Sequence, residues 1–303
     1  SVQRCRSFAR VAESGFMIAI LTAAAVAMIA SLVGTRVLIS VFKKIGKGQP
    51  ILGAEDRGPV QHMKKQGTPT MGGIAILFSA ALGWFVAHFR DGLPFSDQAM
   101  IIWAAVFVLG FVGFLDDFLK VQRQHNRGLF WKKKGYITFA ICIGLTWWLT
   151  AATGVSETLS FTRADLPGIT FTWPLFVIWT ALMVWGTSNA VNVTDGLDGL
   201  AAGSASFGFI AFTVIAYWAF RNPQIYADVV NPLDLAVLAA SLAGACGGFL
   251  WWNAAPARIF MGDVGALGLG TALGLLAVTT NTHLLLPLIC GINVIEAGSV
   301  AIQ

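Results

Sequence analysis

Long apolar runs separated by short polar stretches set the pattern of this chain. Nine runs approach or reach spanning length, over residues 16–42, 72–89, 99–115, 136–154, 171–187, 200–220, 235–255, 264–280 and 284–303. A membrane-crossing helix needs about 20 apolar residues, since each adds about 1.5 Å. Within hydrocarbon a backbone must satisfy its own N–H and C=O groups, and uninterrupted apolar runs do this as helices. The pattern therefore predicts an all-α fold, a polytopic helical membrane bundle with about nine transmembrane helices. It reads as one membrane domain over 1–303, with loops near 43–71, 116–135, 188–199 and 254–263 on a common face. The first run is too long for a signal-peptide core and reads as a spanning helix. The chain stops at Gln303, at the end of the ninth run and without a polar tail, so it reads as a piece of a longer protein.

Composition strengthens the membrane assignment. Of 303 residues, 56% are hydrophobic and only 12% charged, against about 25% charged in a soluble domain. The mean hydropathy is +0.72. Cys5, Cys142, Cys246 and Cys290 show no metal-ligand spacing, and the last three fall in apolar runs as small buried hydrophobes. His62, His88, His125 and His283 are scattered, with no HExxH motif, and none is assigned to a metal.

Charge placement orients the bundle. Lys43, Lys44, Lys47, Arg57, Lys64 and Lys65 follow the first run; Lys120, Arg123, Arg127, Lys132, Lys133 and Lys134 follow the third. These are twelve of the twenty Lys and Arg residues. The positive-inside rule puts both loops in the cytoplasm, although Arg4, Arg6 and Arg10 pull the other way. Counting crossings then puts the connections after the third, fifth and seventh runs on that same face. Those connections carry Asp116-Asp117, Asp195 with Asp198, and Asp263. A carboxylate beside hydrocarbon is costly unless hydrated, paired or metal-bound. Their gathering at one interface, beside a dozen basic residues, predicts a cytoplasmic-face site for a phosphate-rich substrate. No nucleic-acid partner is expected.

Four segments carry the chemistry. In GFLDDFLK (113–120), helical spacing lets Lys120 reach Asp116 at i,i+4 and Asp117 at i,i+3. The two acids can act as a structural ion pair, or as a metal or base pair in which like charge suits one carboxyl to take a proton. In SNAVNVTDGLDGLAAG (188–203), Asn189 and Asn192 are three apart, as are Asp195 and Asp198. Gly196 and Gly199 let the backbone approach a ligand; two amides and two acids can hold a ribose, a base edge or hydrated Mg²⁺. In NAAPARIFMGDVGALGLG (253–270), Asp263 stands at a helix start, as a cap or as a metal ligand. Phe260 offers an aromatic face to a base, or serves as an interfacial anchor. In KKQGTPTMGG (64–73), Thr70 is a candidate N-cap after Pro69, and the glycines and lysines resemble a phosphate cradle without a Walker A pattern.

Taken together, KKQGTPTMGG, GFLDDFLK, SNAVNVTDGLDGLA and WWNAAPARIFMGD closely resemble the bacterial phospho-N-acetylmuramoyl-pentapeptide transferases. That family lies in the polyprenyl-phosphate N-acetylhexosamine-1-phosphate transferase superfamily, and the wording is most like actinobacterial members. The likeness runs from about residue 20 to 303. It implies Mg²⁺-dependent transfer of the phospho-sugar of UDP-N-acetylmuramoyl-pentapeptide to undecaprenyl phosphate, giving lipid I and UMP. It further implies a homodimer in the bacterial plasma membrane, surrounded by membrane lipids. By resemblance Asp263 binds the magnesium, and Asp116 and Asp117 form the catalytic acidic pair, with Asp116 toward the lipid phosphate. Asn189, Asn192, Asp195, Gly196, Leu197 and Asp198 match the nucleoside-side loop. Lys65 matches a substrate-binding lysine, Lys132 a further basic position, and Asn253 and Phe260 the uridine pocket.

The chain departs from the family pattern at Ala266, where Ser is usual, at Tyr136, where Gln is common, and at Gln66, often basic. The resemblance also implies a histidine-rich loop and a tenth helix beyond Gln303. Alternative readings are a sister UDP-N-acetylglucosamine transferase, an inactive relative, or a transport protein. The GTPTMGG and IFMGD wording speaks against the sister enzyme. A transporter would scatter its charges at mid-membrane depth rather than gather them at one interface.

Overall fold

The computed structural model describes residues 2–45, 68–91, 93–123 and 131–302, with side chains left undescribed at 2–14, 45, 91, 123, 131 and 132. The elements are α1 (Val2–Ile45), α2 (Gly73–Asp91), α3 (Asp97–Arg123), α4 (Trp131–Ala152), β1 (Thr158–Arg163), β2 (Leu166–Thr170), α5 (Trp173–Thr194), α6 (Leu200–Arg221), α7 (Pro232–Asn253), α8 (Gly262–Thr279), α9 (Leu286–Ile289) and α10 (Gly291–Ile302). Among the described residues, eight helices are long and apolar enough to cross a membrane. The chain is thus a multi-pass helical membrane protein.

Helix α8 is the axis of the bundle. Every residue from Asp263 to Thr279 is buried, as expected of a helix apolar on all sides. Its Gly, Ala and Leu residues let α3 and α5 pack closely against it, while α1 and α6 pack on α7. Outward faces keep large apolar side chains, such as Leu21, Ile29 and Val33 on α1 and Phe207 and Val214 on α6, exposed where lipid would cover them. Cys142, Cys246 and Cys290 are free and buried, in keeping with their reading as small hydrophobes.

Two features differ from the hydrophobic pattern. The ninth run does not form one long helix. Pro287 lies in the first turn of the four-residue α9, that helix ends at its C-cap Cys290, and α10 has 12 residues, short of spanning length within the described residues. The 155–170 connection forms an antiparallel hairpin, with Thr158 opposite Thr170 and Leu159 opposite Ile169. Ser160 fastens that hairpin to the turn after α8: its Oγ donates to the Asn281 carbonyl at 2.7 Å, and its carbonyl accepts from Leu284 N–H at 3.0 Å.

The hairpin end of the bundle is also tied by Asp234, in the first turn of α7. Its carboxylate accepts from Trp84 Nε1 at 2.6 Å, Ser96 Oγ at 2.6 Å and Ser96 N–H at 2.9 Å, and His88 Nε2 lies 3.0 Å away. A carboxylate buried this deeply is tolerable because its lone pairs are engaged. His88 therefore serves this tie.

Candidate active site

At the opposite end of the bundle, three acids from two helices converge. Asp116 and Asp117 lie within α3, which runs on to Arg123, rather than in a loop after it. Asp263 lies in the first turn of α8, whose N-cap residue, Met261, makes no side-chain capping bond. One carboxylate oxygen from each of the three lies within 4.8 Å of the others, and all three residues are buried.

Two glycines let these helices meet. A Cβ on Gly113 would run into the carbonyl of Asp263, so only glycine allows α3 this close to the start of α8. Gly262 has φ +74°, a left-handed conformation that glycine adopts at no steric cost, and its Cα faces Asp117 Oδ2 and Thr70 Oγ1. The start of α2 is fixed from the same segment: Gly72 N–H donates to the Phe260 carbonyl at 2.9 Å and Gly73 N–H to the Met261 carbonyl at 2.8 Å. These carbonyls satisfy helix-start donors. The Thr70 hydroxyl has no hydrogen-bond partner, so it is not the cap that its position suggested.

Two lysines pair with the acids. Lys120 Nζ lies 2.7 Å from Asp116 Oδ2, 3.8 Å from Asp117 Oδ1 and 2.9 Å from Asp263 Oδ2. The helical spacing of Asp116, Asp117 and Lys120 does bring them together. Lys134, at the start of α4, bonds Asp263 Oδ2 and lies 3.4 Å from Asp116 Oδ2. In the run Lys132-Lys133-Lys134 the third lysine reaches the acids. The side chain of Lys132 falls outside the described residues, as do Lys64 and Lys65.

The acids and amides of the DGLD segment have a different role from the triad. Asp195 Oδ2 accepts from Gly262 N–H at 2.9 Å, and Asp198 Oδ2 from Ala257 N–H at 3.1 Å. Asn253 accepts from Gly199 N–H at 3.1 Å and donates to the Ile259 carbonyl at 2.9 Å. These bonds lace the 195–199 connection to the 254–262 segment and so aim Gly262 and Asp263. Burial pushes the Asp195 carboxyl well above the usual carboxylate range, against the Gly262 N–H that favours its charged form. Gly196 and Leu197 are exposed and Phe260 is half-buried beside these laces.

Asn189 and Asn192 lie on α5 itself, since that helix continues to Thr194. They line a cavity of about 700 Å³ with Lys134, Gly135, Tyr136, Phe139, Leu182 and Trp185. Leu182, Trp185, Asn189 and Asn192 follow helical spacing and share one face of α5. Lys134 belongs both to this cavity and to the acid cluster. The cavity lining therefore combines one lysine of the acid cluster with aromatic, aliphatic and amide side chains. Trp185 and Phe139 were not singled out from sequence, although the i,i+4,i+7 spacing of Trp185, Asn189 and Asn192 is visible once α5 is extended.

A family model described as Glycosyl transferase family 4 matches residues 99–281, more than half of the chain. The Phospho-N-acetylmuramoyl-pentapeptide-transferase signature 1 matches residues 65–77. A phospho-N-acetylmuramoyl-pentapeptide-transferase of Rhodococcus opacus is 44% identical over 300 residues, covering 94% of this chain and 82% of that protein. The chain belongs to the phospho-N-acetylmuramoyl-pentapeptide-transferase family. Relatives of the same name from Clavibacter michiganensis and Frankia alni are 42% and 41% identical, over 95% and 94% of this chain and 84% and 82% of their own lengths. The family match to 99–281 contains the acid triad, both acid-bound lysines and the laced connections. The signature over 65–77 contains the start of α2 that docks on Phe260 and Met261.

Proposed function

We propose that this chain transfers phospho-N-acetylmuramoyl-pentapeptide from its UDP-linked donor to undecaprenyl phosphate, forming lipid I and releasing UMP. Its setting is the bacterial plasma membrane, with the site on the cytoplasmic face and a homodimer as the acting unit. The observation that carries the reading is the meeting of Asp116, Asp117, Asp263, Lys120 and Lys134 beside a cavity whose lining includes Tyr136, Phe139, Leu182 and Trp185. A phosphorylated lipid has both a charged head and a hydrocarbon chain, and this arrangement offers partners for both.

Mg²⁺ suits the triad. Hard carboxylate oxygens from three residues, within 4.8 Å of one another, are the donor type a small divalent cation takes. Asp263 is its principal ligand in this reading, with Asp116 and Asp117 beside it. When bound, the ion supplies charge neutralisation at the diphosphate. The protein's own groups do the rest. Lys120 and Lys134 draw phosphate oxygens to the triad, and Asp116 positions the lipid phosphate or takes its remaining proton. An oxygen of that phosphate attacks the sugar-bearing phosphorus of the donor in line. A new P–O bond forms as the diphosphate P–O bond breaks, and the bonding pair leaves with UMP. Asn189, Asn192, Asp195, Gly196, Leu197, Asp198, Asn253 and Phe260 shape and line the nucleoside side, and Lys65 and Lys132 add phosphate-binding charge. Asp195, Asp198 and Asn253 contribute through the backbone they hold.

Attack is direct in this account, so donor supplied without lipid leaves no covalently labelled protein. A trapped phospho-sugar adduct on Asp116 or Asp117 overturns that step. Donor competition tests the substrate: with undecaprenyl phosphate present, UDP-N-acetylmuramoyl-pentapeptide yields an extractable lipid product and UDP-N-acetylglucosamine does not. The reverse preference contradicts the proposal and favours the sister activity.

A further inference from the structure

We propose that Lys120 and Lys134 are exchangeable counter-ions of the acid triad. They hold the carboxylates in the substrate-free protein, then turn to the incoming diphosphate and leave the carboxylates to the divalent cation. The proposal rests on reading the triad as the cation's seat and goes further, because it makes the cation bind more tightly once the donor is present.

The geometry sets up a competition. Lys120 Nζ touches all three acids, and both lysines reach the same atom, Asp263 Oδ2. A cation that takes that oxygen contends with two ammonium groups already hydrogen-bonded there. The charges argue in the same direction. A divalent cation added beside two ammonium groups makes a largely buried site more positive, which calls for an anion. A diphosphate supplies it, together with oxygens that can accept the displaced ammonium groups. Lysine suits such an exchange, since its compact charge sits on a flexible four-carbon stem. The lysine side chains, at 21% and 13%, are more exposed than those of Asp116 and Asp117, at 3% and 2%, and Asp263, at 12%, is level with Lys134. Donor and cation must then strengthen each other's binding by the same factor.

The test measures Mn²⁺ binding to the full chain in detergent by electron paramagnetic resonance, with and without UDP as an unreactive diphosphate. Readings are corrected for Mn²⁺ held by UDP in solution. In the wild type, UDP tightens Mn²⁺ binding about tenfold or more. In Lys120→Met, Mn²⁺ alone binds about tenfold more tightly than to wild type, and the added effect of UDP shrinks. Lys134→Met behaves alike and decides the matter if the first variant does not fold. Lys133→Met removes an equal charge from the adjacent position and leaves both quantities unchanged. Mn²⁺ binding that is unchanged or weaker in the folded lysine variants overturns the exchange, as does equal tightening in Lys133→Met, which marks a bulk charge effect. Asp263→Asn separates the two levels. If it binds Mn²⁺ as wild type does, the triad is not the seat and the underlying reading fails. If it loses Mn²⁺ while the lysine variants stay at the wild-type value, only the exchange fails.

Discussion

Lys134 joins the acid cluster to the cavity, and the sequence alone does not single it out. Three consecutive lysines offer no periodicity to choose among them, and the resemblance favoured Lys132. The structure brings Lys134 to Asp116 and Asp263, while the side chain of Lys132 lies outside the described residues. Lys134→Ala is expected to lower the rate of lipid I formation by about a hundredfold or more, because it leaves buried carboxylates uncompensated at the point of phosphate binding. Radiolabelled donor with saturating lipid measures this, and a variant within twofold of wild type contradicts the role. Asp195 yields a pH prediction. Its folded carboxyl titrates above the unfolded value of about 3.9, so the folded chain holds the extra proton in the window between the two. Stability from this group is therefore full at low pH and falls as pH rises from the unfolded value through the raised folded one. Asp195→Asn keeps an acceptor for Gly262 N–H and removes the titration. Its melting temperature should depend less on rising pH than that of wild type; parallel curves contradict the assignment. Asp116, Asp117 and Lys120 were legible as a group because one helix carries them at i,i+3 and i,i+4. The lacing by Asp195, Asp198 and Asn253 was not, since it joins connections more than 50 residues apart.

Helices were legible wherever an apolar run was long, and their ends were not. Hydropathy stops at the last apolar residue, whereas α3 and α5 continue as helix through polar positions to Arg123 and Thr194. That continuation puts Asp116, Asp117, Asn189 and Asn192 on rigid elements, which hold a site more narrowly than loops do. The hairpin was hidden because its strands have only 6 and 5 residues, with bulges in their register. The approach of α3 to α8 depends on Gly113. Gly113→Ala puts a methyl into the backbone of Asp263 and is expected to cost at least about 2 kcal/mol and to displace the triad. Gly247→Ala on α7, which meets nothing within 4 Å, serves as control. Thermal unfolding in detergent compares them, and equal transitions contradict the packing account.

Across the molecule, crossing parity read from charge alone placed the acids on one face, and the structure gathers the described ones at one end of the bundle. Parity works because it depends only on the number of crossings before each connection, and the failure of the ninth run comes after the last of these. Which face meets the cytoplasm is tested by impermeant thiol labelling of whole cells, in a Cys5→Ser background. Asp165→Cys, at the exposed hairpin turn, should label from outside, and Leu197→Cys, exposed at the other end, only after permeabilisation. The reverse pattern contradicts the orientation. The buried acid triad as the seat of phospho-sugar transfer is the central claim, and one measurement bears on it most directly. UMP release from UDP-N-acetylmuramoyl-pentapeptide with undecaprenyl phosphate is followed against Mg²⁺ concentration, in wild type and in Asp263→Asn. The account predicts release that needs Mg²⁺ in wild type and falls by at least about a thousandfold in the variant. Undiminished, Mg²⁺-dependent release by folded Asp263→Asn would contradict it.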